Sequence, residues 1–234
     1  MQQARRCPME RSEKLLSREH SVLVLVDLQD TFLNPIKVAS QIVANVRLLL
    51  QVSRQLGVPC LATTHNAEKL GGLTPQLANE LGDTPALNKL TFSSLGNEEF
   101  VRHLQATGRT QVVLVGIETH ICVMQTALDL LKAGYSVHVP HDAVASREKR
   151  DWKYALLRLA HAGATITSIE SVIYEWLYEA GTDEFRQVLP LLKAREQARL
   201  QEEEETPSET EEPEDAEDDE ETEEETTDET DSEE

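Results

Sequence analysis

Residues 111–123 read QVVLVGIETHICV, and their reading decides the fold. The apolar run VVLV stops at Gly116. A polar corner, Ile117-Glu118-Thr119-His120, follows, and Cys122 then opens a helix-like run, CVMQTALDLLKAG. A continuous β-branched run suits a strand of a parallel sheet covered on both faces. A thiol at a strand-to-helix corner lies near orphan backbone N–H groups and the positive end of a helix, which both favour an anion. Cys122 is therefore a candidate nucleophile, against the plainer reading of a small buried hydrophobe.

Working outward, Ser21–Val26 (SVLVLV) repeats the pattern and ends on Asp27. A helical spacing follows at Ile42, Val46, Leu49, Val52 and Leu56, closed by Gly57. Val58–Thr63 is the next strand, and Thr64-His65-Asn66 opens a long loop. Thr74-Pro75 suits the start of a short helix, and Ala86-Leu87-Asn88 a brief strand before Lys89. Helices are expected at 98–107, from about 120 to 132, 149–162, 171–178 and 182–201, the last interrupted or kinked at Pro190. Strands are expected at 135–140 and 164–168. This alternation predicts a three-layer α/β/α sandwich around a mostly parallel sheet of about six strands. Sites in such sheets lie beyond the carboxyl ends of the strands, so Asp27, the Thr64-His65 loop, Lys89, the Glu118–Cys122 corner and the His141 loop share one rim.

The chain has 234 residues and a net charge of -21, but residues 201–234 hold 22 of the 43 acidic residues and no Lys or Arg. The preceding body is near-neutral, so a nucleic-acid partner has no electrostatic footprint. The reading divides the chain into a mobile arm at 1–17, a catalytic body at 18–200 and a disordered acidic tail at 201–234, which lacks the apolar residues to offset ordering. Ser208, Thr222, Thr226 and Thr230 each precede a Glu by three positions, which suits an acid-directed kinase. The tail also suits docking to a basic protein partner. Cys7, Cys60 and Cys122 form neither a disulfide framework nor a zinc pattern, and an odd count fits a reducing compartment. No apolar run reaches membrane-span length. The first twenty residues lack a secretory core and carry acidic residues, so the expectation is cytoplasmic, with mitochondrial as runner-up.

Asp27, Lys89 and Cys122 make a coherent set. A carboxylate can take the thiol proton and return it, and an ammonium stabilises both anions. The corner amides can hold an oxyanion. In Asp27-Leu28-Gln29, in Lys89 ahead of Phe92 and Ser93, and in Gly116, Thr119, Cys122 and Val123, the chain resembles the isochorismatase-like cysteine hydrolases over about residues 18–195. It looks most like the eukaryotic isochorismatase-domain proteins, some of whose protozoan members are labelled mitochondrial-associated ribonucleases. The resemblance implies an Asp27–Lys89–Cys122 triad, a cis peptide at Ile117–Glu118 and an oxyanion hole from the amides of Glu118 and Cys122. It also implies a homo-oligomer acting on a small-molecule amide, carbamoyl or related C–N substrate through a Cys thioester-type intermediate.

Phe32, His65, Phe92 and Ile121 line the expected pocket by position, and Gln29 and Asn88 support it. His120 abuts the nucleophile, and Glu118 is expected to contribute its backbone rather than its carboxylate. Nicotinamidases of the family carry an Asp-x-His set that holds a metal. Here the region reads Thr63-Thr64-His65-Asn66, so the expectation is no metal, no cofactor and no nicotinamide. Isochorismate hydrolysis is a vinyl-ether reaction that does not use the cysteine. No residue set for phosphodiester cleavage is evident, so a ribonuclease reading is not favoured. The alternative to a hydrolase is a non-hydrolytic scaffold or thiol sensor that interacts through the tail.

Overall fold

Six residues, β1 at Ser21–Val26, are buried on both faces and form the middle of the structure. The computed structural model describes residues 11–205. The chain divides into two units, Met1–Leu192 and Lys193–Glu234, and every strand of the described residues lies in the first. After β1 come α1 (Asp30–Leu33), α2 (Ala39–Leu56), β2 (Cys60–His65), α3 (Ala67–Leu70), α4 (Pro75–Leu81) and β3 (Ala86–Lys89). Then follow α5 (Glu98–Ala106), β4 (Gln111–Ile117), a π-helical turn at Thr119–Val123 and α6 (Met124–Lys132). β5 (Ser136–Pro140), β6 (Val144–Ala145), α7 (Lys149–His161), β7 (Thr165–Thr167), α8 (Ile169–Leu177) and α9 (Asp183–Glu205) complete the described chain.

The sheet has seven parallel strands in the order β3-β2-β1-β4-β5-β7, with β6 also paired to β4. The sequence suggested about six; the extra one is the two-residue β6, too short for any periodicity to reveal. Alternation splits the core into two layers. Leu23 and Leu25 of β1, with Val113 and Val115 of β4, join α2, α4 and α8 on one face. Val22, Val24, Val112 and Leu114 join α5, α6 and α7 on the other. This is the three-layer sandwich.

The chain builds outward from β1 through β2 to β3, then returns to place β4 on the other side of β1. The switch point therefore lies between β1 and β4, where a crevice opens at the carboxyl edge. At that edge the backbones approach closely. Gly116 pairs with Val26 and has φ +129; a Cβ there would fall 2.1 Å from the Val26 carbonyl oxygen. Only glycine fits.

α9 continues through Pro190, where an interruption or a kink was expected. Pro190 removes one backbone donor, but Val188 is fully buried and Leu191 and Leu192 pack on the core, which holds the helix through it. Of the arm expected to be mobile, residues 1–10, with Cys7, lie outside the described residues. Residues 11–17 are docked: Leu16 is fully buried, its N–H donates to Glu175 at 2.7 Å, and Gln111 bonds Leu15 and Ser17. Trp176 is a core residue, whereas Tyr178 is exposed beneath the Arg11 guanidinium. The tail beyond residue 205, with its phosphorylation motifs, lies outside the described residues. Among the described residues no helix is long and apolar enough to cross a membrane.

His138 of β5 gives the fold an acid sensitivity. It is 1% exposed, and burial pulls its pKa down from 6.5 to about 4. As pH falls through about 6.5 the unfolded chain takes up this proton while the folded chain refuses it. The stability present above pH 6.5 is thus lost progressively down to about pH 4. Between pH 7 and 4.5 the wild type should lose roughly 2 kcal/mol more than His138→Leu, read from urea midpoints at each pH.

Candidate active site

Asp27 follows β1 directly and is fully buried, with φ +53. This left-handed conformation, which Asp tolerates better than most residues, accompanies a carboxylate turned across the neighbouring strand. Its Oδ1 accepts from Thr63 Oγ1 at 2.9 Å, and its Oδ2 from Lys89 Nζ at 2.5 Å. Strand register explains the reach. His65 pairs with Lys89 and Thr63 with Val26, so Lys89 stands two strands from β1 and its long side chain spans β2.

Leu87 and Lys89 are the inward positions of β3, between exposed Ala86 and Asn88. Lys89 is 3% exposed, and its ammonium has three acceptors: Asp27 Oδ2, Thr91 O at 3.1 Å and Phe92 O at 3.0 Å. All three donors are therefore used. Lys89 acts as a fixed charge that also ties down the 91–92 loop.

Cys122 sits inside the π-helical turn, one turn past the cis peptide Ile117–Glu118. It is buried, and the Asp27 carboxylate and the Lys89 ammonium both act on its thiol. Its pKa is pushed up to about 12, first by burial, then by the Asp27 charge, against an opposing pull from Lys89; Glu118 adds a further upward push. Desolvation and an adjacent carboxylate thus outweigh the anion-favouring corner expected from the sequence. The thiol is protonated at neutral pH and stands beside a base.

The other residues read as pocket-lining fall in two groups. Phe32, His65 and Phe92 come together: His65 and Phe92 stack with centroids 5.6 Å apart, and Phe32 tilts against His65 at 6.3 Å. Gln29 anchors this shelf by accepting from the His65 N–H at 2.6 Å and donating to the His65 carbonyl at 3.1 Å. Asn88 supports the adjoining loop through the Ala67 N–H. Ile121 instead packs partly buried on the α5–α6–α7 layer with Cys122. Two buried polar atoms of this rim have no protein partner, His65 Nδ1 and Thr119 Oγ1. Among the described residues no three His, Cys, Asp or Glu side chains are grouped to hold a metal.

Sequence reasoning missed Thr63, Ser146 and Arg147. Thr63 carried one usable signal, a hydroxyl at the inward carboxyl end of a strand. Ser146 and Arg147 carried none, since the bend that brings them in depends on β6. Cys60 lies elsewhere, bonded to Ser53 and raised in pKa by burial.

The isochorismatase-domain profile matches residues 21–171, from the start of β1 into α8. The chain belongs to the isochorismatase-domain family. Family relatives include the secreted isochorismatase effector Isc1 of Phytophthora sojae, 37% identical over 178 residues, covering 74% of this chain and 84% of that protein. Among solved structures, the MAR1 ribonuclease of Caenorhabditis elegans is 34% identical with a TM-score of 0.72, covering 76% of this chain and 91% of that one. The Escherichia coli YcaC protein, described as an octameric hydrolase of unknown specificity, shares the isochorismatase-family fold at a TM-score of 0.74 and 22% identity, covering 84% and 100%.

Proposed function

We propose that the chain is a cysteine hydrolase of small amide, carbamoyl or related C–N substrates, with Cys122 as nucleophile, Asp27 as proton carrier and Lys89 as fixed cation. The observation that carries this reading is a buried Lys89–Asp27 ion pair whose two charges both act on the buried Cys122 thiol. Taking two charges out of water is costly, and here they meet at the topological switch point beside the family's cysteine.

The reaction then runs as follows. Asp27 accepts the thiol proton as Sγ attacks the substrate carbonyl carbon, so a free thiolate never has to exist at neutral pH. The backbone amides of Glu118 and Cys122 receive the oxyanion. Asp27 returns the proton to the departing nitrogen as the C–N bond breaks, leaving a thioester on Cys122. Asp27 next takes a proton from water, which attacks the thioester, and returns that proton to the departing Cys122 sulfur as the C–S bond breaks and the acid is released. Lys89 stays beside the Asp27 carboxylate as a fixed charge and donates nothing to substrate, because its donors are committed. The Phe32–His65–Phe92 shelf supplies an apolar wall, and the free His65 Nδ1 and Thr119 hydroxyl are open to a polar substrate atom or water.

The name of the nematode relative invites a phosphodiesterase reading. It is not favoured, since among the described residues no three His, Cys, Asp or Glu side chains are grouped to hold the metal ions that many nucleases use. A panel of small aliphatic, aromatic and carbamoyl amides, with an RNA oligonucleotide alongside, tests the proposal. The wild type should release amine or ammonia from one amide class, and Cys122→Ala should lower kcat at least 10³-fold with an unchanged circular-dichroism spectrum. RNA cleavage that survives in Cys122→Ala, with no amide turned over, would overturn it.

A further inference from the structure

The corner that carries Cys122 is held from one side by a short segment that no role yet explains. β5 leaves β4 after Val113, and β6 takes its place, pairing Val144 with Gly116 and Ala145 with Ile117. The three residues that matter come just after. Arg147 donates twice to one oxygen, Glu118 Oε2, from its main-chain N–H and from Nε, both at 3.0 Å. Ser146 Oγ lies 2.9 Å from His120 Nδ1, and the Asp151 carboxylate lies 3.6 Å from His120 Nε2. Two of the three residues between the Ile117 carbonyl and Ile121 are thus tied to the chain at 146–151.

The Glu118–Arg147 pair is a poor stability device. The arginine side chain is 56% exposed, and pairs of that kind contribute little to folding. The carboxylate end, by contrast, is 9% exposed, and the Glu118 carbonyl accepts from Ile121 and Val123, the latter closing the turn that contains Cys122. A half-exposed side chain whose partner supports the nucleophile's own turn is built to orient.

We propose that Arg147 is a positioning residue for the Cys122 site: its N–H and guanidinium together fix the Glu118 carboxylate, neutralise it, and so hold the nucleophile's turn in register. This inference rests on the hydrolase reading above. The charged groups that act on the thiol are Asp27, Lys89 and Glu118. Arg147 faces Glu118 from the loop after β6, and His120 and Asp151 flank it. Removing Arg147 leaves the Glu118 charge uncompensated; removing the Glu118 charge does the reverse to the thiol, yet loosens the same turn.

Two variants separate orientation from charge. Arg147→Ala should lower kcat on the amide turned over by the wild type by roughly 10- to 100-fold, with KM changed less than about threefold. It should also slow iodoacetamide labelling of Cys122 at pH 9 by roughly three- to tenfold, by moving the alkylation profile to higher pH. Glu118→Gln should lower kcat similarly but speed the labelling by a comparable factor, and Arg147→Lys should recover part of both losses. A merely structural role would move the two profiles together. Wild-type kcat and an unmoved labelling profile in Arg147→Ala, or profiles shifted the same way in both variants, would overturn the proposal. A wild type in which Cys122 resists labelling at every pH, or turns over no amide, would instead sink the hydrolase reading itself. Because Arg147 is half exposed, its loss leaves the core intact, and Glu118→Gln and Arg147→Lys preserve side-chain volume.

Discussion

Asp27→Asn should abolish turnover while making Cys122 more reactive toward an alkylating agent. The two effects run in opposite directions because Asp27 does two things to the thiol. As a proton carrier it is needed in both half-reactions, and losing such a group costs roughly 10²- to 10⁴-fold. As a buried negative charge it holds the thiol pKa up, and it is the second-largest cause of the rise to about 12. An amide at position 27 removes that charge and leaves Lys89, whose pull on the thiol is downward, without its carboxylate. The thiolate then becomes the natural partner for the ammonium. At pH 7.5 the iodoacetamide labelling rate of Cys122 should rise at least tenfold over wild type. A variant that loses turnover and labelling together would mean that Asp27 shapes the site without setting its charge.

Lys89→Met should be the most destabilising of the substitutions considered. It strands the Asp27 carboxylate, fully buried, with the Thr63 hydroxyl as its remaining side-chain hydrogen-bond partner. Breaking a buried pair by removing one member costs roughly 3–5 kcal/mol, far more than the pair itself contributes. It also frees the carbonyls of Thr91 and Phe92, and with them the loop whose ring stacks on His65. Expected outcomes are a fall of that size in urea-derived stability, loss of turnover, and slower Cys122 labelling at pH 9. Adding Asp27→Asn to Lys89→Met should restore much of the stability and none of the activity, since the stranded charge is then gone.

Much of the fold was legible because two residue patterns are hard to disguise. SVLVLV and QVVLVG could only be strands covered on both faces, and helical spacing between them dictated parallel crossovers. From there, Asp27 and the Cys122 corner had to share the carboxyl rim. Lys89 was harder. A lone lysine just after a brief strand has no pattern of its own, and only its motif singled it out. In the structure it is the last inward position of β3, alternating with Leu87. The start of α8 was misplaced at Ser171 because Ser168 is the cap, accepting the Ser171 N–H.

The parts of the site that escaped detection depend on backbone events with no pattern in sequence. β6 is two residues long, yet it delivers Ser146 and Arg147 to the corner. The partner of the Glu118 carboxylate was hidden for the same reason, since Arg147 reaches it only through the bend after β6. The balance of burial, Asp27 and Lys89 on the thiol likewise depends on three-dimensional distances that spacing does not encode.

The most direct measurement is rapid-quench mass spectrometry of the protein mixed with the amide that it turns over. Peptide mapping at low pH should find the acyl group of that substrate on Cys122, formed within the first turnover and decaying as acid is released, and absent from Cys122→Ala. Turnover with no acyl adduct on Cys122 at any quench time, or an adduct of equal amount on Cys60, would contradict the role assigned to the Asp27–Lys89–Cys122 cluster.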